Sequence, residues 1–141
     1  KEFDMAQLDA ELIWEDGVHF IGTSPSGHTI HLDGNKTAGA SPMELILLGL
    51  GGCASYDVVT IMKKSRQDIT DVRCQMHAHR ADTIPAVFTD IHLHFVVTGS
   101  DIKESQLAKA IELSAEKYCS ASRMLSSGGV NITHDYEIIE K

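Results

Sequence analysis

The chain has 141 residues, 43% of them apolar and 23% charged, the composition of an ordinary globular protein large enough for one domain with a real core. A net charge of −8 at pH 7 and a pI near 5.4 exclude nucleic acid and anionic membrane as expected partners, because both need a basic face. Three cysteines, Cys53, Cys74 and Cys119, without CxxC spacing exclude a disulfide framework. Reduced thiols and an N-terminus without the charged and apolar regions of a signal peptide predict a cytoplasmic protein, organised as a single domain over 1–141. Lys1–Asp4, ahead of Met5, are expected to be an expression remnant.

In chain order, Leu8 to Trp14 alternates apolar and acidic residues and predicts a half-buried strand. Asp16-Gly17 signals a tight turn into a strand over 18–23, and Ser24-Pro25-Ser26-Gly27 turns the chain into a third over 28–32. The three form a meander. Ser41 then offers an N-cap, Pro42 suits the first helical position, and Glu44 completes a capping box. The helix predicted over 41–64 is apolar on all sides through Leu45–Ala54, which predicts burial all round. Ten unbroken apolar residues fall well short of the roughly 20 needed to span a bilayer.

Two further strands, over 71–79 and 88–98, read as a hairpin with a long connection containing Pro85. Ile91, Leu93, Phe95 and Val97 form the inner face of the second. Asp101 and Glu104 offer another capping box, and Leu107, Ala110, Ile111, Ser114, Ala115 and Tyr118 recur at helical spacing. That helix can continue to Leu125 before Gly128-Gly129 stops it, and a strand over 130–139 closes the chain. The order βββ-α-ββ-α-β lacks regular βαβ alternation, so the fold class is α+β.

The chemistry-bearing residues are few. Cys53 sits in a run of small residues with Gly49, Gly51 and Gly52, which a closely approaching helix would explain. A free cysteine commonly packs as a small hydrophobe, whereas a reactive one needs a partly exposed, electropositive setting. The helix does not supply that setting: Cys53 lies beyond the first turn, and Asp57 four residues on opposes a thiolate. Cys119 is equally open between the two roles, and Cys74 reads as packing beside Val72 and Met76. His77, His79, His92 and His94 would share one sheet face if their strands pair, and imidazole commonly binds zinc or copper. With no carboxylate or cysteine at ligand spacing nearby, a solvated sheet face is the favoured reading and no metal is expected. No P-loop, GxGxxG, GxSxG or HExxH occurs, so no cofactor is expected either.

Ser41-Pro42-Met43-Glu44-Leu45 followed by Gly51-Gly52-Cys53 resembles the cysteine-bearing central helix of the OsmC/Ohr family. Leu113 to Ser120 (LSAEKYCS) is similar to that family's second-cysteine segment, and Val130 to His134 to its final strand. Within the family the chain looks most like the YhfA-like group. The resemblance covers nearly the whole chain and implies an intertwined homodimer, curved antiparallel sheets wrapped around two long helices, and a break before Cys119. It further implies a thiol-dependent peroxidase acting on small hydrophobic organic hydroperoxides in oxidative stress. Cys53 would be the attacking thiolate, Cys119 the resolving thiol, and an external dithiol the reductant. Two positions depart from the family pattern. The family's glutamate directly follows the proline, where this chain has Met43, so Glu44 stands as a catalytic candidate beside its role as a cap. The family's thiolate-pairing arginine comes from the N-terminal strands, but no Lys or Arg occurs between Glu2 and Asn35, leaving His19, His28 and His31 as substitutes. These departures keep a second reading open: a binding protein of the same fold whose apolar interface pocket holds a small hydrophobic ligand.

Overall fold

Alternation in the first third of the chain builds three strands in the computed structural model, which describes residues 7–141; Lys1–Asp4 lie outside the described residues. They are β1 (Glu11–Asp16), β2 (His19–Thr23) and β3 (Thr29–Asp33), antiparallel in the order β1-β2-β3. The meander is as expected, but its first strand begins three residues later than the alternation suggested, and its register shifts between Trp14 and Asp16. The expected half-burial of that strand is not found. All six β1 positions are exposed, with Trp14 65% accessible. Gly17 turns β1 into β2 at φ +54°, a conformation that costs glycine little.

The loop after β3 is organised by one carboxylate. Asp33 accepts hydrogen bonds from the backbone N–H groups of Asn35 (2.8 Å), Thr37 (3.3 Å) and Ala38 (3.0 Å), and from the Thr37 hydroxyl (2.7 Å). It is buried, and the donors satisfy it. They also hold its carboxyl far below the usual carboxylate range, the Ala38 N–H contributing most.

The chain then enters α1 (Pro42–Lys64) through the expected capping box. The Ser41 N–H donates to Glu44 Oε1 at 2.8 Å, and the Glu44 N–H donates to Ser41 Oγ at 3.3 Å. Lys63 and Lys64 occupy the last turn, where they favour the carbonyl end of the dipole. Two compact units divide within this helix, after Ile46. The expectation of burial all round is corrected: Leu50, Ala54, Val58 and Met62, four residues apart, are buried, whereas Leu48 (56%) and Tyr56 (69%) are exposed. A 3.6-residue period puts the two sets on different faces, and among the described residues only one of those faces is buried. Gly51 lies on the covered side, where a Cβ would run into the Met76 thioether. At Gly49 and Gly52 a Cβ would meet nothing within 4 Å, so among the described residues no helix approaches there.

The second sheet has the order β4-β5-β6, from β4 (Asp68–Arg80), β5 (Phe88–Ser100) and β6 (Asn131–Glu140). The predicted hairpin is the antiparallel β4–β5 pair, but β6 runs parallel to β5, so this sheet is mixed and not antiparallel throughout as the resemblance implied. Parallel neighbours need a long crossover, which the second helical region provides. Ile91, Leu93, Phe95 and Val97 of β5 are all nearly inaccessible and form, with the buried face of α1, the core of this unit. Each such side chain contributes about 1.5–3 kcal/mol relative to exposure.

The crossover differs from one continuous helix. It consists of α2 (Glu104–Leu113), a π-helical turn over Ser114–Tyr118, and α3 (Ser120–Ser127). Cys119 stands between the last two in extended conformation (φ −79°, ψ 103°), at the break that the family resemblance implies. Leu107, Ala110, Ile111 and Ser114 form the buried stripe. The capping box expected at Asp101 is absent, because Asp101 is in the left-handed region (φ 52°) and Lys103 is the N-cap. Glu104 instead accepts the Tyr136 hydroxyl at 2.9 Å, and Glu140 accepts the Asp101 N–H at 2.8 Å. The architecture is α+β in the order βββ-α-ββ-α(α)-β, as expected.

Candidate thiol site

Cys53 lies in the middle of α1, one residue before buried Ala54, and is itself partly exposed. Cys119 reaches it from the break after the π turn and is only 2% accessible. The two sulfurs are close enough for Cys53 to act on the Cys119 thiol. Burial first, and the neighbouring sulfur second, push the Cys119 thiol up to about 12. The Asp57 carboxylate acts in the same direction. Cys119 also serves as the N-cap of α3, its sulfur accepting the Ser122 N–H at 3.3 Å, which favours a thiolate but does not outweigh burial. The pair is therefore unequal: Cys119 is the enclosed, proton-bearing member and Cys53 the member open to solvent.

The frame around the pair comes from α1 and the π turn. The Ser114 hydroxyl donates to Asp57 Oδ2 at 2.9 Å and lies 3.4 Å from the Ala54 carbonyl oxygen. The Ser114 carbonyl accepts the Cys119 N–H at 2.8 Å. Behind it a cavity of about 10 Å³, lined by Ala54, Phe95, Ser114, Ser122 and His134 among others, has room for roughly one water. That cavity is too small for an organic substrate.

From the sequence Ser114 reads only as a helical-stripe position. The signal was present: a serine in line with Leu107, Ala110 and Ile111 must be buried, and a buried hydroxyl needs a partner. The other candidates fall elsewhere. Glu44 is engaged in its reciprocal cap with Ser41, whose N–H holds its carboxyl below the usual range. His19 Nε2 and His31 Nδ1 lie 2.8 Å apart with their rings stacked, and His28 Nδ1 is 2.9 Å from the Ser26 hydroxyl. Cys74 is pushed up by burial, consistent with packing.

His77 and His92 face each other across β4 and β5, so the shared histidine face exists. The expectation that no carboxylate lies near it is corrected. Asp135 Oδ1 is 2.9 Å from His92 Nε2 and 2.6 Å from His94 Nδ1, and Glu137 Oε1 is 3.2 Å from His94 Nε2. Both acids come from β6, some forty residues away in sequence, which no spacing rule could reveal. Among the described residues, no group of three or more His, Cys, Asp or Glu is arranged to hold a metal ion.

A family model described as OsmC-like protein matches residues 33–135, a span that takes in Cys53 and Cys119. The chain is 47% identical to Protein YhfA of Escherichia coli (strain K12) over 133 residues, 94% of this chain and 98% of that protein. A solved structure of a hypothetical protein from Aquifex aeolicus VF5 is 28% identical with a TM-score of 0.87, covering 97% of this chain and 99% of that one. The organic hydroperoxide resistance protein OhrB of Bacillus subtilis shares the fold at a TM-score of 0.62 and 16% identity, over 94% and 99% of the two chains. With two cysteines brought together across α1 and the π turn, in this fold and with these relatives, the chain belongs to the OsmC-like family.

Proposed function

We propose that the protein is a thiol-dependent peroxidase that reduces small hydrophobic organic hydroperoxides. The observation that carries this reading is the pairing of a buried Cys119 thiol with a partly exposed Cys53 beside it. In the first step the Cys53 thiolate attacks one oxygen of the O–O bond. The sulfur gains that oxygen as a sulfenic acid, and the other oxygen leaves, with a proton, as the alcohol. In the second, the Cys119 sulfur displaces hydroxide from the Cys53 sulfenic acid, its own proton going to the leaving group, so a disulfide and water form. An external dithiol then reduces the disulfide by two exchange steps and is itself oxidised. The inequality of the pair suits these roles, since the resolving thiol must keep its proton until the first step is complete.

The functional unit in this reading is a homodimer. The exposed face of α1, with Leu48 and Tyr56 and no neighbour at Gly49 and Gly52, suits a second copy of the chain, as do the uncovered apolar residues of β1. One observation favours the alternative of ligand binding without turnover. The β1–β3 sheet carries an open apolar groove of about 490 Å³, lined by Leu12, Gly22, Ile30 and Leu32 among others. That volume lies within the range of small-molecule sites.

Treatment of the reduced protein with substoichiometric cumene hydroperoxide near neutral pH separates the two readings. The peroxidase reading expects one Cys53–Cys119 disulfide per peroxide consumed, mapped by mass spectrometry, with none in Cys53→Ser. Thiols that stay reduced while peroxide persists would overturn it in favour of binding.

A further inference from the structure

We propose that Ser114 is a positioning residue that clamps Cys119 against Cys53 through a hydrogen bond to Asp57. The inference rests on the reading that the two cysteines form a disulfide, but not on peroxide as the oxidant. Three features carry it. Ser114 is 2% accessible, and its hydroxyl reaches across to α1, 57 residues away in sequence, instead of bonding the carbonyl one turn back as helical serines commonly do. The acceptor, Asp57, lies one turn from Cys53 on the same helix. The Ser114 carbonyl then holds the Cys119 N–H at 2.8 Å, closing the π turn that ends the helix where the second thiol must sit.

The links run from Cys53 to Asp57 along α1, from Asp57 to Ser114 and from Ser114 to Cys119, which sets the Cys119 sulfur beside that of Cys53. A π turn inserted into a helix is rare and recurs at functional sites. Here it advances the backbone so that Cys119, and not a residue of a continuing helix, meets Cys53. At the start of this turn the Ser114 hydroxyl is the polar tie to the helix that carries Cys53, through Asp57 Oδ2 at 2.9 Å and, at 3.4 Å, the Ala54 carbonyl oxygen.

The test uses glutathione disulfide as oxidant, so failure of the peroxidase reading and failure of the clamp are distinguishable. The Cys53 thiolate attacks one glutathione sulfur and releases glutathione thiolate. Cys119 then loses its proton and attacks the Cys53 sulfur, releasing the second glutathione. The equilibrium constant for this exchange measures how well the fold presents the two sulfurs to each other. Ser114→Ala is expected to lower it by about tenfold, the scale of a small misplacement of reacting groups. Asp57→Ala should do the same, and the double variant should lose no more than either single one. Ser114→Thr, which keeps the hydroxyl, should restore it. Unchanged equilibria in folded Ser114→Ala, or losses that simply add in the double variant, would overturn the clamp. Should Ser114→Ala not fold, Asp57→Ala against Asp57→Asn, which keeps an acceptor, decides on the same readout: equal equilibria would sink the proposal.

Discussion

The two sheets carry the same period-two pattern and fare differently. In β5 the apolar alternates Ile91, Leu93, Phe95 and Val97 are sealed, and the polar alternates His92 and His94 face outward to bond β6. In β1 the alternates Leu12 and Trp14 remain exposed, as does Ile13 between them. The pattern specifies that a strand has an apolar face; it does not specify what covers that face. In β5 the cover comes from the chain's own helices, whereas among the described residues β1 has none.

The largest expected effect tests that contrast directly. Phe95→Ala removes a side chain only 1% accessible and should cost about 3–5 kcal/mol in urea denaturation, whatever the protein concentration. Leu12→Ala should cost under about 0.5 kcal/mol at the lowest concentrations and more where the protein self-associates. Sedimentation across a concentration series should show its association weakened. An equal, concentration-independent loss for both variants would break the comparison.

An intermediate effect lies in the loop that ends the first sheet. The carboxyl of Asp33 is depressed in the folded chain, so the unfolded chain binds protons first as pH falls. Its contribution is therefore present above the ordinary carboxylate range and lost as pH drops below about 4. Asp33→Asn should lower Tm by several degrees at pH 7 and flatten the acid limb of the Tm–pH curve. A Tm difference that stays constant down to the lowest accessible pH would show that the loop does not depend on this charge.

The smallest effect sharpens the account of the second sheet's outer face. Hydrogen bonds to Asp135 and then Glu137 raise His94, and His94 in turn lowers Asp135. A raised histidine stabilises below its unfolded value near 6.5 and loses that contribution as pH rises through its folded value. His94→Gln should therefore lower Tm slightly at pH 6 and not at pH 9, a difference kept small by solvent screening of partly exposed pairs. A Tm loss at pH 9 as large as that at pH 6 would assign His94 a packing role instead.

Much of this protein is local and could be read in one dimension. The capping box at Ser41 and Glu44, the turns at Gly17 and Gly129, the alternation in β5 and the α+β order all follow from residues a few positions apart. The break at Cys119 was not legible from spacing, because Ser114, Ala115 and Tyr118 keep a helical period through the π turn; only the family likeness of the surrounding residues implied it. Asp101 and Glu104 had the spacing of a cap, yet tertiary partners on β6 claimed both. Tertiary structure likewise decided which face of α1 is buried, that Asp135 and Glu137 meet the histidines, and that the Ser114 hydroxyl bonds Asp57 across α1. The physical reason is common to all of them. Propensity, capping and periodicity act within a turn or a strand pair, whereas burial and the pairing of buried polar groups depend on which distant segments the folded chain brings together.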